Sequence, residues 1–95
     1  MDFSDALRHL RRGKAVHRHG WNGKGMFLFY VPAKEFAVEQ GSALSNAVPI
    51  GSMQGMGHYL AMRAVDGTSV PWLCSQTDML AEDWELKYPD EPSND

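Results

Sequence analysis

Ninety-five residues are enough for one domain and too few for two. With 43% hydrophobic and 22% charged residues, the composition is that of a globular protein, and no segment approaches the roughly 18 apolar residues of a membrane helix. The net charge of −3 excludes the broad basic surface that an extended DNA or RNA partner needs.

The charge is unevenly spread. Residues 1–24 carry six basic groups against two acidic ones, for +4, and the remainder carries three against ten, for −7. A basic first quarter that also holds His9, His17 and His19 can receive an anion, or it can be a solvated helix face. The single cysteine, Cys74, forms no internal disulfide and reads as a small packed residue rather than a nucleophile. The first residues contain no signal-peptide-like apolar run, so a reducing cytoplasm is the expected compartment.

The first predicted element is a short helix. Asp2 or Ser4 can cap it, and Phe3, Ala6, Leu7 and Leu10 fall on one face at helical spacing. Gly13 supplies the left-handed stop. So short a helix does not hold alone in water, and its apolar face must lie on a sheet. Residues 14–19 alternate as a half-buried strand. Gly20-Trp21-Asn22-Gly23-Lys24-Gly25 follows, and its Asn-Gly is a hairpin signal. The apolar run 26–31 is a strand stopped by Pro32.

Residues 33–57 are harder to read. Phe36, Ala37 and Val38 suggest a short strand, and 41–57 reads as a long loop or lid. Strand character resumes at 59–65, and Asp66-Gly67 turns it into a partner at 68–72, where Pro71 demands an edge or a bulge. Ser75 or Thr77 caps a helical turn at 78–82. Residues 84–88 alternate as a last strand. An acidic tail, 89–95, is expected to be disordered and leaves 1–88 as the single ligand-binding domain. The order predicts an α+β domain: a small antiparallel sheet with one N-terminal helix packed on it and a short C-terminal helical turn.

Motifs for catalysis are absent or incomplete. The glycine-rich loop lacks the Ser or Thr that a triphosphatase needs after Gly23-Lys24, and a strand rather than a helix follows it. It can still offer backbone N–H groups and Lys24 to an anion beside a stacking Trp21. Its alternative is a plain turn with Trp21 in the core. His17 and His19 share a strand face, but a metal site needs more ligands than are nearby. Ser75, His58 and Asp78 can be arranged on paper as a triad, yet no nucleophile elbow frames Ser75. Nothing demands an enzyme, a metal or a cofactor.

The stretch 70–84 sets Trp72 and Trp84 around Ser75, Gln76, Thr77 and Asp78. Such a polar run can hydrogen-bond a base edge or ribose hydroxyls while Trp72 stacks. The competing assignment makes Ser75 or Thr77 a helix cap and Trp84 a core anchor.

Gly20-Trp21-Asn22-Gly23-Lys24-Gly25-Met26, combined with Pro71-Trp72 and the run from Ser75 to Trp84, resembles the second Thoeris anti-defence family of phage and prophage proteins. The likeness covers roughly residues 3–31 and 59–86 in the same order. It implies a sponge: bacterial Toll/interleukin-receptor enzymes make a cyclised ADP-ribose signal, and the sponge sequesters it without cleaving it. It also implies a homotetramer with pockets between subunits, and in some members separate sites for cyclic dinucleotides. By this resemblance Trp21, Asn22, Trp72 and Ser75, Gln76, Thr77 and Asp78 fall on the pocket motifs, with Gly23 and Met26 in the same loop. The expected roles are base stacking for Trp21 and Trp72, phosphate binding for the 20–25 loop with Arg18 or Lys24, and hydroxyl recognition for Gln76 and Asp78. The expected partner is a small cyclic nucleotide, with no nucleic acid and no membrane. The rival from another class is a phage-encoded domain that blocks a host protein through its Trp-rich face.

Overall fold

In the computed structural model, which describes residues 1–21 and 25–89, the chain runs α1 (Phe3–Arg11), β1 (Ala15–Arg18), a 3-10 turn (His19–Trp21), β2 (Phe27–Val31), β3 (Lys34–Ala37), a second 3-10 turn (Ala43–Asn46), β4 (Met53–Met56), β5 (Tyr59–Arg63), β6 (Ser69–Pro71), α2 (Gln76–Met79) and β7 (Trp84–Lys87). Five strands form one sheet in the order β6-β5-β2-β1-β7, while β3 and β4 pair apart from it. All pairings are antiparallel. The α+β class and the single helix against a small sheet are as the sequence predicts.

Asp2 caps α1 by accepting from the Asp5 N–H at 2.9 Å. The helix ends in a Schellman motif: the Gly13 N–H donates to the Leu10 carbonyl at 2.9 Å and the Lys14 N–H to the His9 carbonyl at 3.0 Å, with Gly13 at φ +86°. Ala6 and Leu10 on its apolar face are fully buried with Val16, Leu28 and Trp84. Pairing register places Val16, Leu28, Leu86 and Met62 on the sheet face that meets α1. The opposite face carries Phe27, Phe29, Ala61 and Arg63.

At the Asp66-Gly67 turn, Asp66 accepts from the Thr68 N–H at 2.9 Å and from its hydroxyl at 2.7 Å. Gly67 stands at φ +87°, which the turn requires. Pro71 ends β6 at the sheet edge, where its missing N–H costs no ladder bond.

Three expectations need adjustment. The predicted first strand is shorter, because the chain turns into a 3-10 helix at His19. The expected helical turn at 78–82 sits earlier, at Gln76–Met79, because the Ser75 hydroxyl accepts from the Asp78 N–H at 3.1 Å and starts it there. The expected loop 41–57 contains β4, which returns alongside β3 to make a ribbon. Gln54, Gly55 and the alternation-breaking methionines hid that strand from a hydropathy reading. The tail expected to be disordered lies, beyond Pro89, outside the described residues.

Candidate functional site

The two sequence motifs meet at Trp84. This ring is 1% exposed and its register partner is Arg18 on β1. Trp21 abuts it at 5.5 Å between centroids and 80°, and Trp72 at 6.1 Å and 85°. Phe3 of α1 completes the cluster, 5.4 Å from Trp84 and 6.0 Å from Trp72. Edge-to-face contacts of this kind suit the ring quadrupoles and fix the two outer indoles without covering them. Trp21 and Trp72 are only partly buried, so each keeps surface for a ligand.

A polar layer lies beside the rings. The Arg18 guanidinium donates from Nε to Asp83 and from Nη1 to Asp78, both at 2.8 Å. Asp83 also accepts the Gly20 N–H at 3.0 Å, and the His19 N–H donates to its carbonyl at 3.0 Å. The Trp84 indole N–H donates to the Asp78 carbonyl at 3.0 Å. The start of the glycine-rich loop, the end of β1 and α2 are therefore tied to one another. A Cβ on Gly20 would stand 3.3 Å from the Asp83 carboxylate, so the close approach uses the absence of a side chain.

Each ion supports the other's charged form. The hydrogen bond to Asp83 is the main cause of the raised Arg18 pKa, followed by that to Asp78. The Asp83 carboxyl is held below its usual range chiefly by Arg18, against some desolvation and with help from the Gly20 N–H. Arg18 accordingly acts here as a strut between two carboxylates. Cys74 is pushed up by burial and by the Asp78 charge, which keeps it a thiol at neutral pH.

Of the residues singled out in the sequence, Arg18, Trp21, Trp72 and Asp78 gather in this cluster. Ser75 serves as the α2 cap, while Gln76 and Thr77 are exposed on α2 and Met26 is partly buried before β2. Asn22, Gly23 and Lys24 lie outside the described residues. Asp83 and Phe3 were not among the candidates; Asp83 is visible in the sequence only as one more acid beside Trp84. Trp84 is the core anchor of the competing assignment.

The other arrangements weighed in the sequence lead elsewhere. His17 and His19 both approach Glu85, at 3.9 and 3.2 Å, and among the described residues no group of three acids, cysteines or histidines is placed to hold a metal. His58 pairs through Nδ1 with the Tyr30 hydroxyl at 2.8 Å, while the Ser75 hydroxyl is engaged with Asp78 N–H. Among the described residues no helix is long and apolar enough to cross a membrane. A cavity of about 610 Å³ lies at the far end of β1 and β7, where Lys14, Arg63 and Lys87 surround Phe27 and Tyr88.

Comparison with known proteins returns one consistent result. The family model described as a Thoeris anti-defense 2-like domain matches residues 1–87. The chain is also similar to a protein named Thoeris anti-defense 2 from Bacillus phage SP01, 36% identical over 88 residues, covering 90% of this chain and 93% of that protein.

Proposed function

The chain belongs to the Thoeris anti-defence 2 family and has an anti-defence role, and from that premise we propose that it is a sponge for a cyclic nucleotide immune signal. The signal is glycocyclic ADP-ribose, held without cleavage by a homo-oligomer, a tetramer by the family resemblance, in the host bacterial cytoplasm. The observation that carries this reading is the convergence on Trp84 of two motifs far apart in sequence, which leaves two partly exposed indoles flanking a polar layer.

A sponge must bind tightly, and it needs no acid, base or metal. Trp21 and Trp72 wall the adenine, whose π-face every indole can meet. Gln76, Thr77 and the Asp78 side chain read ribose hydroxyls. The 20–25 loop, with Asn22, Gly23 and Lys24, takes the diphosphate through backbone N–H groups and one cation. Arg18 contributes by positioning Asp78 and the loop entrance, its guanidinium being shared between Asp78 and Asp83. In the same reading a cyclic dinucleotide is a second ligand, and the cavity lined by Lys14, Phe27, Arg63 and Lys87, none of which belongs to the tryptophan cluster, is our candidate place for it.

The test is capture and release. Purified protein is mixed with glycocyclic ADP-ribose, free ligand is measured, and the protein is then denatured by heat. Depletion followed by the return of intact ligand is the expected result. Depletion followed by a changed product would indicate an enzyme. No depletion, together with copurification of a host protein, would replace the sponge with the protein-blocking reading. Trp21→Ala is expected to stay folded, losing about 0.5–3 kcal/mol of stability, and to lose ligand retention.

A further inference from the structure

Arg18 sets one positive charge against the two formal negative charges of Asp78 and Asp83, so the polar layer beside the tryptophan cluster sums to one negative charge. Both oxygens of Asp83 are occupied from within. Arg18 Nε meets Oδ1 at 2.8 Å, while the Gly20 N–H at 3.0 Å and Arg18 Nη2 at 3.5 Å meet Oδ2. Asp78 differs. Its Oδ1 takes Arg18 Nη1 at 2.8 Å, and its Oδ2 has no partner among the described residues. No buried side-chain oxygen or nitrogen among those residues lacks a partner. Asp78 Oδ2 is therefore open to solvent, on a side chain only 18% exposed.

The free acceptor is also held in place. The Asp78 N–H donates to Ser75 Oγ at 3.1 Å, and the Asp78 carbonyl accepts the Trp84 indole N–H at 3.0 Å. The backbone is thus fixed on both sides of the carboxylate. Gly20, bonded to Asp83, precedes Trp21, and Cys74, two residues after Trp72, feels the Asp78 charge. The two carboxylates accordingly lie between the segments that carry the outer indoles.

A fixed carboxylate oxygen with a free lone pair suits a ligand hydroxyl, which donates to it in a charge-assisted hydrogen bond. A phosphate monoester offers the reverse, because it carries about −1.5 to −2 charges at neutral pH and brings acceptor oxygens. Beside a layer that is already negative it is repelled. Dinucleotide-binding folds use the same chemistry: an acidic residue accepts a ribose hydroxyl where an arginine accommodates a phosphate. Here the arginine is neutralised twice over. With adenine walled by Trp21 and Trp72, the first sugar to reach a layer beside the rings is the ribose attached to that base.

We propose that Asp78, backed by the Arg18–Asp83 pair, is a specificity residue that admits an adenosine ribose with a free hydroxyl and rejects one whose hydroxyl carries a phosphate. The inference rests on the sponge reading and deepens it. The signal retained is one cyclised from an unphosphorylated dinucleotide, and a counterpart cyclised with a phosphate on that ribose escapes capture.

The probes are glycocyclic ADP-ribose and two synthetic analogues, with the free hydroxyl of the adenosine ribose phosphorylated in one and removed in the other. Each is titrated calorimetrically into the full chain and into the variants Asp78→Asn and Asp83→Asn. The wild type is expected to bind the phosphorylated analogue about 100-fold or more weakly than the parent, and the deoxy analogue about 10-fold or more weakly. Asn has the shape of Asp, so a purely steric rejection would survive in Asp78→Asn. The expected result is instead that the preference for the parent over the phosphorylated analogue shrinks about 10-fold or more. Asp83→Asn removes the surplus charge without touching Asp78 Oδ2 and should shrink the same preference, so either folded variant decides the matter. Tryptophan fluorescence checks that each is folded. A wild type that binds the phosphorylated analogue as tightly as the parent, or a preference unchanged in the variants, would overturn the proposal and leave the sponge in place. Failure of the wild type to bind the parent at all would strike the sponge reading itself.

Discussion

Trp84 joins the packing of the core to the geometry of the candidate site. Its ring is buried against Phe3, Trp21 and Trp72, and its N–H holds the Asp78 carbonyl. Replacing it with Phe keeps an aromatic ring but removes that donor and part of the volume. The Asp78 carbonyl keeps the Ala81 N–H at 3.3 Å but loses its shorter bond, a cost of about 0.5–1.5 kcal/mol, which lowers a urea midpoint by about 0.5–1 M for a domain of this size. Trp84→Phe should therefore unfold earlier in urea and also retain ligand less well, because Trp21 and Trp72 lose their common support. A variant with unchanged midpoint would show that the indole N–H contributes nothing net.

At the scale of elements, α1 depends on its ends as much as on its face. Its apolar stripe buries Ala6 and Leu10, but a helix this short needs its terminal groups satisfied. Gly13 does so at the C-terminus with φ +86°, and a Cβ placed there meets nothing within 4 Å. Gly13→Ala consequently tests backbone strain alone. The expected loss is about 1 kcal/mol, read as a lower thermal midpoint with unchanged far-ultraviolet dichroism. The α2 turn is positioned differently: the Ser75 cap and the Arg18–Asp78 pair hold it to β1, so its location depends on contacts with a strand distant in sequence.

For the whole molecule, the Arg18–Asp83 pair makes stability depend on acid. Asp83 has a folded-state pKa below its unfolded value of about 3.9. The pair therefore contributes fully above that value, and the contribution fades as the pH falls through the lower folded pKa. The wild type should exceed Asp83→Asn in urea midpoint at neutral pH, and the difference should close progressively below about pH 4. A difference that persists unchanged at pH 2 would mean that packing, not charge, underlies it. The same experiment leaves the ribbon aside, since β3 and β4 share no strand with the main sheet.

Much of this protein is legible in its sequence, because local rules act over a few residues. Helical spacing of Phe3, Ala6, Leu7 and Leu10, the Gly13 stop, the Asp66-Gly67 turn, the edge position of Pro71 and the alternation of β7 all follow from side chains reading their immediate neighbours. The motifs around Trp21 and Trp72 likewise point to the family from the sequence alone. Of the ribbon, only the strand around Phe36 shows in the sequence; β4 does not, since glycine, serine and exposed methionine carry no period. Only the tertiary structure decided that β7 lies beside β1, and with it that Arg18 bonds to Asp83 sixty-five positions away. It alone made Trp84 the support of both outer indoles and set β3 and β4 in a ribbon of their own beside the main sheet. Such pairings depend on strand register and on which surfaces remain to be covered, and both are properties of the assembled sheet rather than of any stretch of the chain.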